Sequence, residues 1–181
     1  MRPPREIKEF EETVVQIDRV THVVAGGRRF RFRATVVIGD KKGKVGVGVA
    51  RGKDVQQAIA KAVYKAKKSI IEVPFKDTTV PYEVNMSFGG AKIMLKPAGR
   101  GTGVMAGGPV RAVLEAAGIK DVLSKMFGSS SRVNNVYATY EALKKLKKVS
   151  EDNEARRQKS AVRAPKKPAA KKPAVKKESK K

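Results

Sequence analysis

Arg29-Phe30-Arg31-Phe32-Arg33-Ala34-Thr35-Val36-Val37-Ile38-Gly39-Asp40-Lys41-Lys42-Gly43-Lys44-Val45-Gly46-Val47-Gly48-Val49-Ala50 is the stretch from which the fold can be worked out. Its first half alternates. Phe30, Phe32, Ala34, Val36 and Ile38 fall on one face of an extended chain, and Arg29, Arg31, Arg33, Thr35 and Val37 on the other. A repeat of two predicts a strand with one buried face, so the phenylalanines read as core. Gly39–Gly43 has turn composition. Lys44–Ala50 returns as a second strand, with valines on one face and glycines on the other. A glycine face lets another backbone, or an RNA sugar, approach closely.

Upstream, Thr13–Val20 reads as a further strand, 23–27 as a loop and 1–11 as an arm. Downstream, Asp54 suits a helix N-cap. Val55, Ala58, Ile59, Ala62, Val63, Ala66 and Ile70 then recur at helical spacing, with Lys61, Lys65 and Lys68 opposite. That helix is expected to end by Val73, before Pro74. The order β-β-β-α suits an antiparallel sheet packed on one helix. Residues 74–81 break the pattern. Two strands, 82–88 and 91–97, are joined at Gly89-Gly90. A glycine-rich stretch, 99–108, leads into a helix from Pro109 to Gly118. Residues 119–127 fit either strand or helix, and a last helix starts near Asn134 or Asn135. The resulting layout is α+β: an arm (1–11), a first small domain (12–73), a linker (74–81), a second small domain (82–150) and a disordered Lys/Pro/Ala-rich tail (151–181).

The chain has 181 residues, with 41 Lys+Arg against 17 Asp+Glu, a formal net charge of +24. Such a field is matched to a polyanion, because each phosphate neutralised releases condensed counterions. The tail accounts for only part of it. Residues 151–181 carry 12 basic and 4 acidic side chains, and 1–150 carry 29 and 13. Cysteine is absent, which excludes disulfides and thiol catalysis. No stretch reaches the ~18–20 apolar residues of a membrane span. The charged N-terminus lacks the apolar core of a signal peptide. The expectation is a cytoplasmic protein.

Gly26-Gly27-Arg28-Arg29-Phe30-Arg31-Phe32-Arg33 is the strongest local signal, four arginines and no acid. Glycines let a tight loop bring its amides near phosphates, and the guanidinium fork matches phosphate geometry. The candidate RNA-binding set is Gly26, Gly27, Arg28, Arg29, Arg31 and Arg33, extended by Lys41, Lys42, Lys44, Arg51 and Lys53. Gly101-x-Gly103-x-x-Ala106, with Asp121 further on, formally satisfies a relaxed dinucleotide fingerprint. Its surroundings are an antiparallel hairpin rather than repeating βαβ units, and Asp121 sits at the wrong end of its strand. The glycines read better as a place of close contact with RNA or a neighbouring protein. That second candidate surface comprises Arg100, Gly101, Thr102, Gly103, Gly107, Gly108 and Arg111. His22 has no metal-ligand neighbour, and Ser129–Ser131 lack a base. No catalytic constellation, cofactor, metal site or small-molecule substrate is expected.

Four stretches carry a family resemblance: 24–32 (Val-Ala-Gly-Gly-Arg-Arg-Phe-Arg-Phe), 45–62, 101–123 (opening Gly-Thr-Gly-Val-Met-Ala-Gly-Gly-Pro) and 138–143 (Ala-Thr-Tyr-Glu-Ala-Leu). In this order and spacing the chain resembles the S-five family of bacterial small-subunit ribosomal proteins, over about 12–150. The resemblance implies a first domain like a double-stranded-RNA-binding domain and a second of left-handed β-α-β type. It implies binding to small-subunit ribosomal RNA and contacts with the fourth and eighth small-subunit proteins. It also implies roles in assembly and in decoding accuracy, the latter through 99–108. Departures are Gly128-Ser129-Ser130-Ser131-Arg132, where the family has Gly-Ser-Thr-Asn-Pro, and Tyr137 in place of a basic residue. The alternative suggested by the tail is a nonspecific nucleoid or DNA-binding protein.

Overall fold

A computed structural model describes residues 10–74 and 77–146. The expected arm lies outside them but for Phe10 and Glu11, and so does the expected tail. The first half is a four-stranded antiparallel sheet in the order β1-β2-β3-β4, made of β1 (Glu11–Val24), β2 (Gly27–Gly39), β3 (Lys44–Gly52) and β4 (Ile70–Glu72). Helix α1 (Val55–Lys68) covers one face. The second half is another four-stranded sheet, ordered β5-β6-β8-β7, from β5 (Val84–Phe88), β6 (Ala91–Pro97), β7 (Val104–Met105) and β8 (Val122–Gly128). Helix α2 (Gly108–Ala117) connects β7 to β8, which pair in parallel, making a β-α-β unit. A last helix, α3, covers 132–146 among the described residues.

Two sequence expectations change. The helical spacing includes Ile70, with an end by Val73. The helix stops at Lys68, because Ser69 leaves helical geometry and Ile70 joins β4 beside Gly46. The loop expected at 23–27 shrinks to Ala25-Gly26, since Val23 and Val24 pair with Arg28 and Gly27. Gly26 has φ +91°, the left-handed value that a type II turn requires at its second central position. Asp54 does occupy the N-cap position, yet its side chain makes no capping hydrogen bond.

The alternation of β3 is resolved into two covers. A Cβ at Gly46, Gly48 or Gly52 would lie 2.5, 2.1 or 2.6 Å from the backbone of α1. The backbone that approaches the glycine face is therefore the chain's own helix. Ala58, Ala62 and Ala66, fully buried and one turn apart, complete this small-on-small contact. The valine face goes the other way. Val37, Val45 and Val47 share a buried cluster with Val110, Val113 and Leu114 of α2 and with Leu143 and Leu146 of α3. Amides of Lys41 and Gly43 donate to the carbonyls of Ala116 and Ala117 at 3.1 and 3.0 Å. The Tyr140 hydroxyl donates to the Ser69 carbonyl at 2.9 Å. The first sheet is thus buried on both faces over its β2–β3 root.

Candidate nucleic-acid interface

The β2–β3 register ends at Phe32↔Gly52, whereas β1 and β2 stay paired to Val24↔Gly27. Five residue pairs, from Val20↔Arg31 to the tip, therefore project as a bare two-stranded hairpin. At about 3.4 Å per residue the projection is about 17 Å long. Among the described residues, no third strand and no helix reach it. This explains the main correction to the sequence reading: Phe32 packs at the edge of the α1 core, but Phe30 is 47% exposed. Its ring instead carries the Arg19 guanidinium, 3.8 Å from the centroid, a cation–π contact.

Opposite Phe30, the other face of the hairpin is basic. Val20, Thr21, His22, Arg29, Arg31 and Arg51 line a hollow there. Arg28, Arg29, Arg31 and Arg51 are exposed and make no ion pair among the described residues. Lys53, just past the end of β3, is also exposed. Arg33 differs. Its Nε and Nη2 donate to Asp18 Oδ2 at 3.2 and 2.8 Å. The hydrogen bond from Arg33 holds the Asp18 carboxyl below the usual range, against the opposing effect of burial, with help from Gln16 and Arg132. Arg33 is consequently committed within the fold.

Lys41, Lys42 and Lys44 do not join this hollow. They sit at the opposite end of β2, twelve or more residues from Gly27, in the turn docked on α2. Lys41 (φ 57°) pairs with Glu11, and Lys44 Nζ lies 3.9 Å from Glu72. Asp40 organises this turn by accepting from the amides of Lys42 and Lys44 at 2.7 and 2.9 Å.

The glycine-rich stretch is built around Asp121. Its Oδ1 accepts from the amides of Gly101 and Gly103, both at 3.0 Å. A hydrogen bond from the Thr78 side chain, then the Gly103, Gly101 and Thr102 amides, lower its pKa, while burial opposes them. This accounts for the Asp twenty residues beyond the glycines without a ribose: it is the loop's own anion. Gly101 (φ 89°) and Gly103 (φ 75°) turn their amides inward to it. The Thr102 hydroxyl donates to the Gly99 carbonyl at 2.8 Å. Arg100 pairs with Asp77 at 3.1 Å, and Arg111 donates to the Val104 carbonyl at 3.2 Å. Gly107 caps α2 beneath Met126, whose methyl would lie 2.2 Å from an added Cβ, and Gly108 faces open space. These residues form one corner of the second half.

Two functional candidates escaped the sequence reading. Arg19 was hidden in a strand that looked ordinary, and His22 seemed isolated. The register pairs His22 with Arg29 and brings Arg19 over Phe30. The signal was present in the β1–β2 alternation, had the strand been continued to Val24.

Two family models match the chain. One, described as ribosomal protein S5, N-terminal domain, matches residues 10–74. The other, described as ribosomal protein S5, C-terminal domain, matches residues 86–157.

Proposed function

The chain belongs to the ribosomal protein S5 family, and on that premise we propose that its β1–β2 hairpin is the element that enters ribosomal RNA. As a member of this family it is a structural, RNA-binding constituent of the small ribosomal subunit, serving translation within a ribonucleoprotein. Its partners are small-subunit ribosomal RNA and ribosomal proteins. The observation that carries the hairpin reading is the change in pairing along β2. At Arg33 the positive charge is neutralised by Asp18, whereas from Arg31 to the tip it is not.

Recognition by such a hairpin is by shape and phosphate position. A-form RNA hides base edges in a deep, narrow groove, and a slim ribbon bearing guanidinium groups is suited to its backbone. The Asp121-centred corner, with Arg100 and Arg111, serves as the docking surface for the fourth small-subunit protein, through which the chain influences accuracy. The eighth small-subunit protein is a further neighbour, and these contacts support subunit assembly in the cytoplasm. No helix among the described residues is long and apolar enough to cross a membrane. The chemistry throughout is binding, as the family's structural role requires.

The test is binding of the full chain to a small-subunit ribosomal RNA fragment and to a DNA duplex of equal charge across a salt series. The expected result is an RNA preference that persists at higher salt and falls in an Arg28→Ala/Arg29→Ala variant. Equal, steeply salt-dependent binding to both, unchanged in the variant, would mean that a nonspecific polycation does the binding and would overturn the hairpin assignment.

A further inference from the structure

The outer face of α1 carries a feature that the hairpin does not use. Tyr64 lies on this face and is 62% exposed. A single exposed ring is ordinary by itself, so its neighbours decide what it signifies. Here they are cationic. Lys68, one turn on, places Nζ 4.4 Å from the ring centroid, and Lys61 and Lys65 flank it. Lys65 is anchored, its Nζ donating to the Val49 carbonyl at 3.2 Å. Beside the ring is a hollow of about 440 Å³ lined by Ala50, Arg51, Ala60, Lys61, Tyr64 and Lys65. No carboxylate is among those residues. Ala50 and Ala60 contribute small apolar surface between the cations.

The geometry points to a second RNA contact, at which Tyr64 stacks an unpaired base of a single-stranded segment while Lys61, Lys68 and Arg51 meet its flanking phosphates. Three features argue for this occupant. The π-face with a cationic frame is the combination that single-stranded nucleic acid requires, since stacking is tolerant of sequence and the backbone demands positive charge. A duplex offers no free base face to the ring. Finally, Arg51 borders both this hollow and the one on the hairpin. It joins the two into a continuous basic track, along which a strand leaving the hairpin's RNA site reaches α1. The inference goes beyond the hairpin assignment; its third argument rests on that reading, and the first two stand without it.

The experiment compares a labelled oligouridylate with an RNA duplex of the same number of phosphates, using the full chain and its Tyr64→Ala, Tyr64→Phe and Arg28→Ala/Arg29→Ala variants. Loss of one stacked base is expected to weaken oligouridylate binding about 5- to 150-fold in Tyr64→Ala. Duplex binding is expected to be unchanged, and Tyr64→Phe, which keeps the ring, is expected to bind as the parent does. Because Tyr64 is exposed, thermal melts of the variants should superimpose. The arginine variant separates the two readings: failure of the hairpin assignment leaves the Tyr64 effect intact. Unchanged oligouridylate binding in Tyr64→Ala would overturn the proposal. So would an equal loss on both RNAs, or photo-cross-linking of Tyr64 to protein rather than RNA in reconstituted subunits.

Discussion

Arg31 and Arg33 sit two residues apart on the same face of β2, and their substitution by alanine is expected to have opposite consequences. Arg31 is exposed on the bare hairpin, with no ion pair among the described residues. If it neutralises one RNA phosphate, Arg31→Ala removes about one unit from the slope of log K against log salt. Between 50 and 200 mM salt, a fourfold change, that unit amounts to about a fourfold difference in how far affinity falls. Arg28→Ala/Arg29→Ala, removing two contacts, should change it about sixteenfold. Arg33 is already neutralised by Asp18, so Arg33→Ala is expected to leave the slope unchanged. Its effect belongs to stability. The two side chains are 34% and 24% exposed, so the pair lies near the surface and solvent screening limits its worth to about 1 kcal/mol or less. For a chain of this size that is a melting shift of no more than about 4 °C. Fluorescence anisotropy over a salt series and differential scanning calorimetry would read the two effects separately. The reasoning fails if Arg33→Ala lowers the salt slope as much as Arg31→Ala does.

Three further outcomes follow from the packing. Gly48→Ala places a methyl 2.1 Å from the Ala62 carbonyl oxygen and 2.7 Å from the Ala66 amide nitrogen, both backbone, so α1 must lift. A cost of about 3 kcal/mol, at the upper end for overpacking, lowers the melting temperature by about 6–12 °C in circular dichroism. Asp121→Asn should destabilise the chain at neutral pH and speed proteolysis at 99–103. Since Thr78 and the loop amides lower the folded-state pKa of Asp121, its stabilisation is present above the ordinary carboxylate value and is lost as pH falls through the lower folded value. The gap between parent and variant should therefore close on acidification, and a gap independent of pH would argue against the loop's own anion. Tyr140→Phe removes the hydrogen bond to the Ser69 carbonyl and is expected to cost about 1 kcal/mol in denaturant unfolding.

The sequence made the strands and helices of the first half legible because β2 and β3 obey a repeat of two and α1 a repeat of 3.6. It could not show what would cover each face. The Val-Gly alternation of 45–49 announces two unlike surfaces, but only the register of β3 against α1 identifies the glycines as the helix seat. The same limit misled the reading of Phe30. Alternation places it on the face of Ala34 and Val36, yet burial depends on how far β3 and α1 extend, and they stop at Gly52 and start at Val55. The basic candidates, read from the sequence as one surface, lie in two separate places. Lys41 and Lys44 are close in sequence to Arg33 and far from the hairpin tip in space, because β2 is fully extended between them. Asp121 was noticed for its spacing from the glycines, but its role as their acceptor needed coordinates.

Charge pairing along the first sheet ties fold to function. At the root, acids of β1 meet cations: Glu11 pairs with Lys41 and Asp18 with Arg33. Beyond Asp18, residues 19–24 of β1 contain no acid, while the facing strand carries Arg28, Arg29 and Arg31. Like charges on adjacent strands repel and give the folded chain no stability of their own. They are tolerated because the tip is solvated and screened, where such repulsion is small. The root must then supply the stability that the tip does not. It is clamped from both sides, by α1 on the glycine face and by α2 and α3 behind the valine face. A hairpin fixed at its base and unneutralised at its end loses little conformational freedom on meeting a polyanion, which is the physical advantage of presenting arginines on paired strands rather than on a loop.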